Sequence, residues 1–176
     1  SIYVYRQVVG ETPDSDEVVN TLRHAIALTN KYIASTHASS SMFSSVFYGL
    51  LVPETGQLCY INAGHEPPLI IGPSGVRREL TPTGPVIGLF EHAEYDVGMA
   101  EILPGEVLFG YTDGATDALN QADEQFTEER LTAVACEQAA NGGAMLHSIL
   151  SAVETFIGNA EQYDDITMIS IHREIR

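Results

Sequence analysis

Apolar residues recur at helical spacing in the first part of the chain. Six residues repeat every three or four positions: Val18, Leu22, Ala25, Ile26, Thr29 and Ile33. This spacing predicts one amphipathic helix over residues 16–35, because such a repeat places the side chains on one face. Asp14, Ser15 or Asp16 can cap its first turn. The polar run at residues 35–41 predicts a loop.

The middle of the chain has the alternation and the turn residues of antiparallel strands. Strands are predicted at residues 45–52, 57–63, 69–71, 76–80, 94–102 and 107–112. Turns rich in proline and glycine join them pairwise at residues 53–56, 72–75 and 103–106. A Gly/Pro loop is predicted over residues 83–89.

The last third returns to helical spacing and ends in a strand. Thr127 can cap one helix, and apolar residues mark a second over residues 145–156, with Asn141-Gly142-Gly143 as the break between them. Strict alternation over residues 166–172 predicts the final strand. The sequence therefore predicts one α+β domain with a largely antiparallel sheet.

Composition narrows the classes of partner. The chain has 176 residues, 44% of them hydrophobic, and a formal net charge of −16. Such a surface repels nucleic-acid phosphates and anionic membranes, so we expect no nucleic acid and no membrane as partner. No apolar run approaches the roughly 18 residues that a spanning helix needs. Two cysteines, Cys59 and Cys136, are too few for a disulfide framework and predict a cytoplasmic location.

Two short acidic motifs can carry chemistry. In Tyr111-Thr112-Asp113-Gly114 an apolar strand ends in an acid beside a glycine that can turn sharply, and Asp164-Asp165 directly precedes the last strand. Because both lie at strand ends, a sheet can bring their carboxylates close to a common point. Oxygen ligands of this kind favour Mg²⁺ or Mn²⁺ over Zn²⁺. The alternative is that they are ordinary turn and cap acids.

One histidine lies in a loop with a glycine, within Asn62-Ala63-Gly64-His65. His65 could act as an acid, a base or a metal ligand, or it could be a hydrogen-bonded structural residue. The other histidines and the cysteines lack the spacing of a metal site.

A family resemblance rests on five segments in order: FYGLLVPETGQLCYINAGHEPPL, TGPVIGLF, LPGEVLFGYTDGATDA, FTEERL and YDDITMISI. From about Glu17 to His172 the chain resembles the bacterial metal-dependent Ser/Thr phosphatases of the phosphatase 2C superfamily. The branch is that of the sporulation stage II E and stress-response sigma-regulator phosphatases.

The resemblance implies an α-β-β-α sandwich of mainly antiparallel sheets flanked by helices. It also implies hydrolysis of phosphoserine or phosphothreonine on a protein, such as an anti-sigma-factor antagonist, by water that two Mn²⁺ or Mg²⁺ ions activate. Matching motif positions make Asp113 and Asp164 metal ligands, with Asp165 as the alternative to Asp164. The His65 loop looks like a signature of the branch, without an assigned role.

The family also has earlier strands and a Gly-Asp motif that bridges both metals, and no such motif precedes the matched region here. We therefore expect residues 1–176 to be the larger, C-terminal part of one phosphatase 2C-like domain that lacks the N-terminal strands. Alone, it should hydrolyse phosphoserine negligibly. The rival hypothesis is a catalytically inactive regulatory or protein-binding module. A regulatory or sensor domain upstream and a homodimer are the further expectations.

Overall fold

The computed structural model describes residues 15–36, 42–139, 142–162 and 164–175. Internal contacts group the chain into two compact units. The α1 unit contains the described residues of Tyr5–Pro67 and Leu80–Glu101, and the α2–α3 unit contains Pro68–Glu79 and the described residues of Ile102–Arg176. In the described part, no helix is long and apolar enough to span a membrane.

The α1 unit packs one helix on three strands. Its elements are α1 (Ser15–Thr36), β1 (Val46–Val52), β2 (Gln57–Ala63) and β5 (Gly98–Glu101). The strands form an antiparallel sheet in the order β1-β2-β5. Leu22 and Ile26 of α1 are buried against Ile61 of β2, as the helical repeat predicts. Burying each such side chain contributes roughly 2 kcal/mol, so this face fixes the helix on the sheet.

The α2–α3 unit packs two helices on four strands. Its elements are β3 (Leu69–Gly72), β4 (Gly75–Glu79), β6 (Val107–Tyr111), α2 (Glu128–Glu137), α3 (Gly142–Ile157) and β7 (Met168–His172), with a 3₁₀ turn at Asp113–Ala115. The antiparallel sheet has the order β4-β3-β6-β7. Phe109 of β6 is fully buried with Leu131 of α2 and Ile149 of α3. The predicted α+β class, with antiparallel sheets flanked by helices, is confirmed.

The largest boundary error concerns β5, which was predicted over residues 94–102 and begins only at Gly98. The reason is a competing partner: the Asp96 amide donates to the Thr83 carbonyl at 3.0 Å, outside the sheet. Tyr95 is buried in the core of the α1 unit. Pairing starts where Gly98 meets Tyr60, whose ring lies so close that a Cβ on Gly98 would come within 2.4 Å of it.

Helix ends differ from the predictions in smaller ways. Thr127 occupies the N-cap position of α2, but its side chain makes no capping hydrogen bond. Gly142 and Gly143 belong to the first turn of α3 rather than to a break. Asp14, Asn141 and the residues 37–41 of the predicted loop lie outside the described residues.

Candidate functional site

The end of β6 is held by the hydroxyl of Thr112. The Thr112 amide donates to the Thr167 carbonyl at 3.0 Å, which continues the β6–β7 ladder by one step. The return bond does not go to the Thr112 carbonyl, because the Thr167 amide donates to Thr112 Oγ1 at 3.0 Å. The Thr112 carbonyl instead accepts from the Ala115 amide at 3.1 Å and starts the 3₁₀ turn. The hydroxyl thus lets the chain leave the sheet without leaving the Thr167 amide, just before β7, unpaired.

Gly114 lies directly against the main chain of Asp165. A Cβ added at Gly114 would come within 2.6 Å of the Asp165 carbonyl oxygen and 3.0 Å of its carbon. Gly114 is absent from the described glycines with positive φ. The chain turns here, in the 3₁₀ turn Asp113–Ala115, but without a backbone angle that requires glycine. Glycine is needed here because two main chains approach closely.

The acidic side chains differ in the hydrogen bonds that their carboxylates accept from neighbouring groups. Asp164 Oδ1 accepts from the Asp165 amide at 2.7 Å, and the Asp164 carbonyl accepts from Gln162 at 2.7 Å. Asp113, Asp164 and Asp165 are all exposed. Within the described ranges, no side chain hydrogen-bonds the carboxylates of Asp113 or Asp165. These two groups face solvent and are free to bind a ligand.

The structure brings the main chains of the two acidic segments into contact. Thr112 Oγ1 donates to the Asp165 carbonyl at 3.0 Å, and Gly114 packs on the same carbonyl. Asp113 lies between these two contacts. In the described part of the chain, no three His, Cys, Asp or Glu side chains form a group that could hold a metal ion. Which of Asp113, Asp164 and Asp165 bind a metal stays a prediction.

Three residues near these acids have contacts that we did not infer from the sequence. The position of Thr112, a hydroxyl between a buried strand and an acid, is the sequence signal that points to such contacts. Asp117 donates its amide to the Asp113 carbonyl at 2.8 Å and accepts from Gln125 at Oδ1. Gln162 fixes the carbonyl of Asp164. The last two contacts have no local sequence signal.

The His65 loop is built around a buried amide. Asn62 is fully buried; its Oδ1 accepts from the His65 amide at 2.8 Å, and its Nδ2 donates to the carbonyls of His65 and Leu80 at 3.0 and 2.9 Å. His65 Nδ1 lies 3.1 Å from the Glu66 carbonyl. Gly64 has φ +71°, and a Cβ there would come within 2.5 Å of Val86. These contacts support the structural alternative for this loop.

Comparison with known proteins identifies the family of the chain. Residues 1–174 match the family Stage II sporulation protein E (SpoIIE). Protein IcfG of Synechocystis sp. is 37% identical over 157 residues, which is 89% of this chain and 25% of that protein. The chain therefore spans about a quarter of this curated relative.

Solved structures share the fold. The SiaA-PP2C domain of Pseudomonas aeruginosa superposes with a TM-score of 0.73 at 18% identity, over 89% of this chain and 65% of that one. The SpoIIE phosphatase domain of Bacillus subtilis gives a TM-score of 0.64 at 10% identity, over 97% and 78%. The RsbU and RsbW domains of Rv1364c from Mycobacterium tuberculosis give 0.62 at 22%, over 95% and 50%. With the family match over nearly the whole chain, these likenesses lead to one conclusion: the chain belongs to the SpoIIE family of phosphatase 2C-like domains.

Proposed function

We propose that this chain is part of a metal-dependent phosphatase domain that, in the full-length protein, hydrolyses phosphoserine or phosphothreonine on a protein. The observation that carries the proposal is the contact of Thr112 and Gly114 with the Asp165 main chain. It holds two exposed acidic segments together in a SpoIIE-family fold, and it leaves the carboxylates of Asp113 and Asp165 without a partner among the described residues. A net charge of −16 adds to the attraction for cations.

The donor set fits a hard cation. Mg²⁺ and Mn²⁺ prefer oxygen ligands, and Mg²⁺ commonly binds through one or two carboxylates and keeps several waters. Phosphatase 2C-like proteins are generally metal-dependent. Asp113, with Asp164 or Asp165, would hold the ion. A bound ion of this kind lowers the pKa of water and offsets charge on the phosphoryl group. The chain's own part is to hold the acids in register and to leave them open to solvent.

The substrate and partners are proposed from the family. One of the solved structures with this fold is a mutant of a bacterial serine phosphatase, with a TM-score of 0.69. We propose a phosphorylated signalling protein as substrate, such as an anti-sigma-factor antagonist, and a cytoplasmic location. That residues 1–176 form a single domain, that a regulatory domain lies upstream, and that the chain forms a homodimer stay predictions.

The test is the substitution Asp113→Asn in the full-length natural protein. Asn keeps the size of the side chain but removes the negative charge that binds the cation. We expect Mn²⁺-dependent release of phosphate from a phosphoserine peptide to be abolished, a loss of more than about 100-fold. Asp96→Asn is the matched control, because Asp96 is also exposed but lies on the α1 unit. It should retain full activity.

Two outcomes would contradict the proposal. Full activity of the Asp113→Asn protein would remove Asp113 from the site. A wild-type protein that binds a phosphoprotein but never releases phosphate, with Mn²⁺ or Mg²⁺, would favour the inactive binding module. The observation that favours this second function is the lack of a three-residue metal group within the described residues.

A further inference from the structure

We propose that Thr112 is a positioning residue of the metal centre: its hydroxyl holds Asp165 in register with Asp113. The inference rests on the proposed function, because it assigns the metal to these acids. Thr112 itself contacts neither substrate nor metal in the proposal. It acts through the main chain of the segment that carries Asp164 and Asp165.

The first support is the exchange of hydrogen-bond partners at Thr112. In a regular antiparallel pair, Thr167 would donate to the Thr112 carbonyl. Here the hydroxyl accepts that bond at 3.0 Å and donates its own proton to the Asp165 carbonyl at 3.0 Å. One hydroxyl therefore joins the end of β6 to two residues of the opposite segment. Only serine or threonine supplies both a donor and two acceptor lone pairs in so short a side chain.

The second support is where these bonds lie relative to Asp113. The residue before Asp113 bonds to the Asp165 carbonyl, and the residue after it packs on the same carbonyl. The main chain of Asp113 is thus fixed against that of Asp165 from both sides. Since the two carboxylates are exposed and have no described side-chain partner, the main-chain contacts are what hold the two residues next to each other.

A positioning role predicts a particular pattern of loss. Without the hydroxyl, the Asp164-Asp165 segment can move away from Asp113, and a cation must then restore the arrangement as it binds. Metal affinity should fall, whereas the rate at saturating metal should change less, because the same carboxylates are present once the ion is bound. A residue with only a general stabilising role would not separate these two quantities.

The first measurement uses no metal and no substrate. Amide hydrogen exchange of Thr167 is compared in the full-length wild type, Thr112→Val and Thr112→Ser. Loss of one hydrogen bond is expected to lower protection of this amide about tenfold in the Val variant, whereas Ser should retain it. Thr29→Val is the matched control, since it removes a hydroxyl that donates to the Ala25 carbonyl on α1. It should leave Thr167 unchanged.

The second measurement is Mn²⁺ binding, followed by the electron paramagnetic resonance signal of free Mn²⁺. We expect Thr112→Val to raise the Kd about tenfold, with Ser and Thr29→Val at the wild-type value. Phosphatase assays should then show a higher Mn²⁺ requirement with a smaller change in kcat. Wild-type Mn²⁺ affinity in the Val variant would overturn the proposal, and so would a Ser variant that loses affinity, whether or not the Val protein folds.

The two measurements also separate this proposal from the proposed function. If the wild type shows no phosphatase activity but Thr112→Val weakens Mn²⁺ binding and Thr167 protection, the positioning role stands and the phosphatase proposal fails. If the wild type is an active phosphatase whose Mn²⁺ affinity does not depend on the Thr112 hydroxyl, the reverse holds.

Discussion

Asn62 and Thr112 both lie near the end of a strand, and both hydrogen-bond main-chain groups of another segment. Asn62 is fully buried, and its amide group is occupied by His65 and Leu80. Thr112 is only partly buried, and its bonds hold Thr167 and Asp165. The chemistry of the two side chains is similar, but their neighbours differ.

The two regions differ in whether a polar group is left without a hydrogen-bond partner among the described residues. Around Asn62, the polar groups of the loop bond to one another, and the His65 ring lies against the Glu66 carbonyl. Beside Thr112, the hydroxyl serves the main chain, so the Asp113 carboxylate is left exposed. Buried polar groups with all partners satisfied stabilise a fold, whereas charged groups held in place without a partner are suited to bind a ligand. This contrast supports a structural role for Asn62 and agrees with the proposal that Asp113 binds a metal ion.

The largest effect on stability should come from Asn62→Ala. The substitution leaves the His65 amide and the carbonyls of His65 and Leu80 without their side-chain partner in a buried site. Such losses add to about 3 kcal/mol of unfolding free energy, which urea denaturation can measure. The Mn²⁺ concentration for half-maximal activity, measured on folded protein, should stay at the wild-type value.

Asn120→Ala is the matched control for this substitution. Asn120 Oδ1 also accepts from two main-chain amides, those of Ala122 and Glu124, but in an exposed turn where water can replace it. Its cost should stay below about 1 kcal/mol. Equal costs for the two variants would show that burial is not what distinguishes the Asn62 loop.

The elements that could be predicted from the sequence are those fixed by interactions between residues close together along the chain. Helical repeats and Pro/Gly turns are local, so α1 and the β1–β2 hairpin were predicted to within one or two residues. The start of β5 was missed by four residues, because it depends on a distant partner: the Asp96 amide bonds the Thr83 carbonyl. Periodicity carries no signal for such bonds.

The same limit applies to the site. Asp113 and Asp164 were candidates because they stand at strand ends, and their role stays a prediction. The close approach of Gly114 to Asp165 was not predicted, since Asp165 belongs to a segment far along the chain. The bonds of the Thr112 hydroxyl were not predicted either, because Asp165 and Thr167 are also far along the chain. Sequence spacing identified the charged groups but not the main-chain contacts that hold them together.

A smaller effect on stability, with a larger one on function, is expected for Gly114→Ala. The added Cβ would lie 2.6 Å from the Asp165 carbonyl oxygen, so the two main chains must separate. Overpacking of this kind costs about 1–2 kcal/mol. Because it moves Asp165 away from Asp113, Mn²⁺ affinity should fall about tenfold in the binding titration.

Gly110→Ala, on the strand β6 that precedes Gly114, provides the control. There the nearest atom to the new Cβ is the Ile169 side-chain methyl at 3.2 Å, which can shift slightly. Mn²⁺ affinity should be unchanged. If Gly114→Ala also binds Mn²⁺ like the wild type, the close approach of the two main chains does not set the site.

The smallest loss of stability is expected at Glu106. Its carboxylate, like the side chain of Asn62 and unlike that of Asp113, is hydrogen-bonded to neighbouring groups. Glu106 is buried, and it accepts from Arg77 Nη2 at 2.7 Å and from the Leu103 amide at 2.8 Å. Burial alone would raise the pKa of Glu106, but the Arg77 hydrogen bond, the Leu103 amide and the Arg77 charge together lower it from 4.5. A carboxyl whose pKa is lower in the folded state stabilises the protein above its unfolded pKa and loses that contribution as the pH falls through its folded pKa.

The substitution Glu106→Gln should therefore cost about 1 kcal/mol of unfolding free energy near neutral pH. The difference from the wild type should shrink as the pH falls below 4.5 in urea titrations, whereas Glu79→Gln, at an exposed residue, should leave stability near neutral pH unchanged. A Glu106→Gln deficit that does not change with pH would mean that the charge of Glu106 does not stabilise this turn, and a loss of Mn²⁺ affinity would mean that its role is not confined to structure.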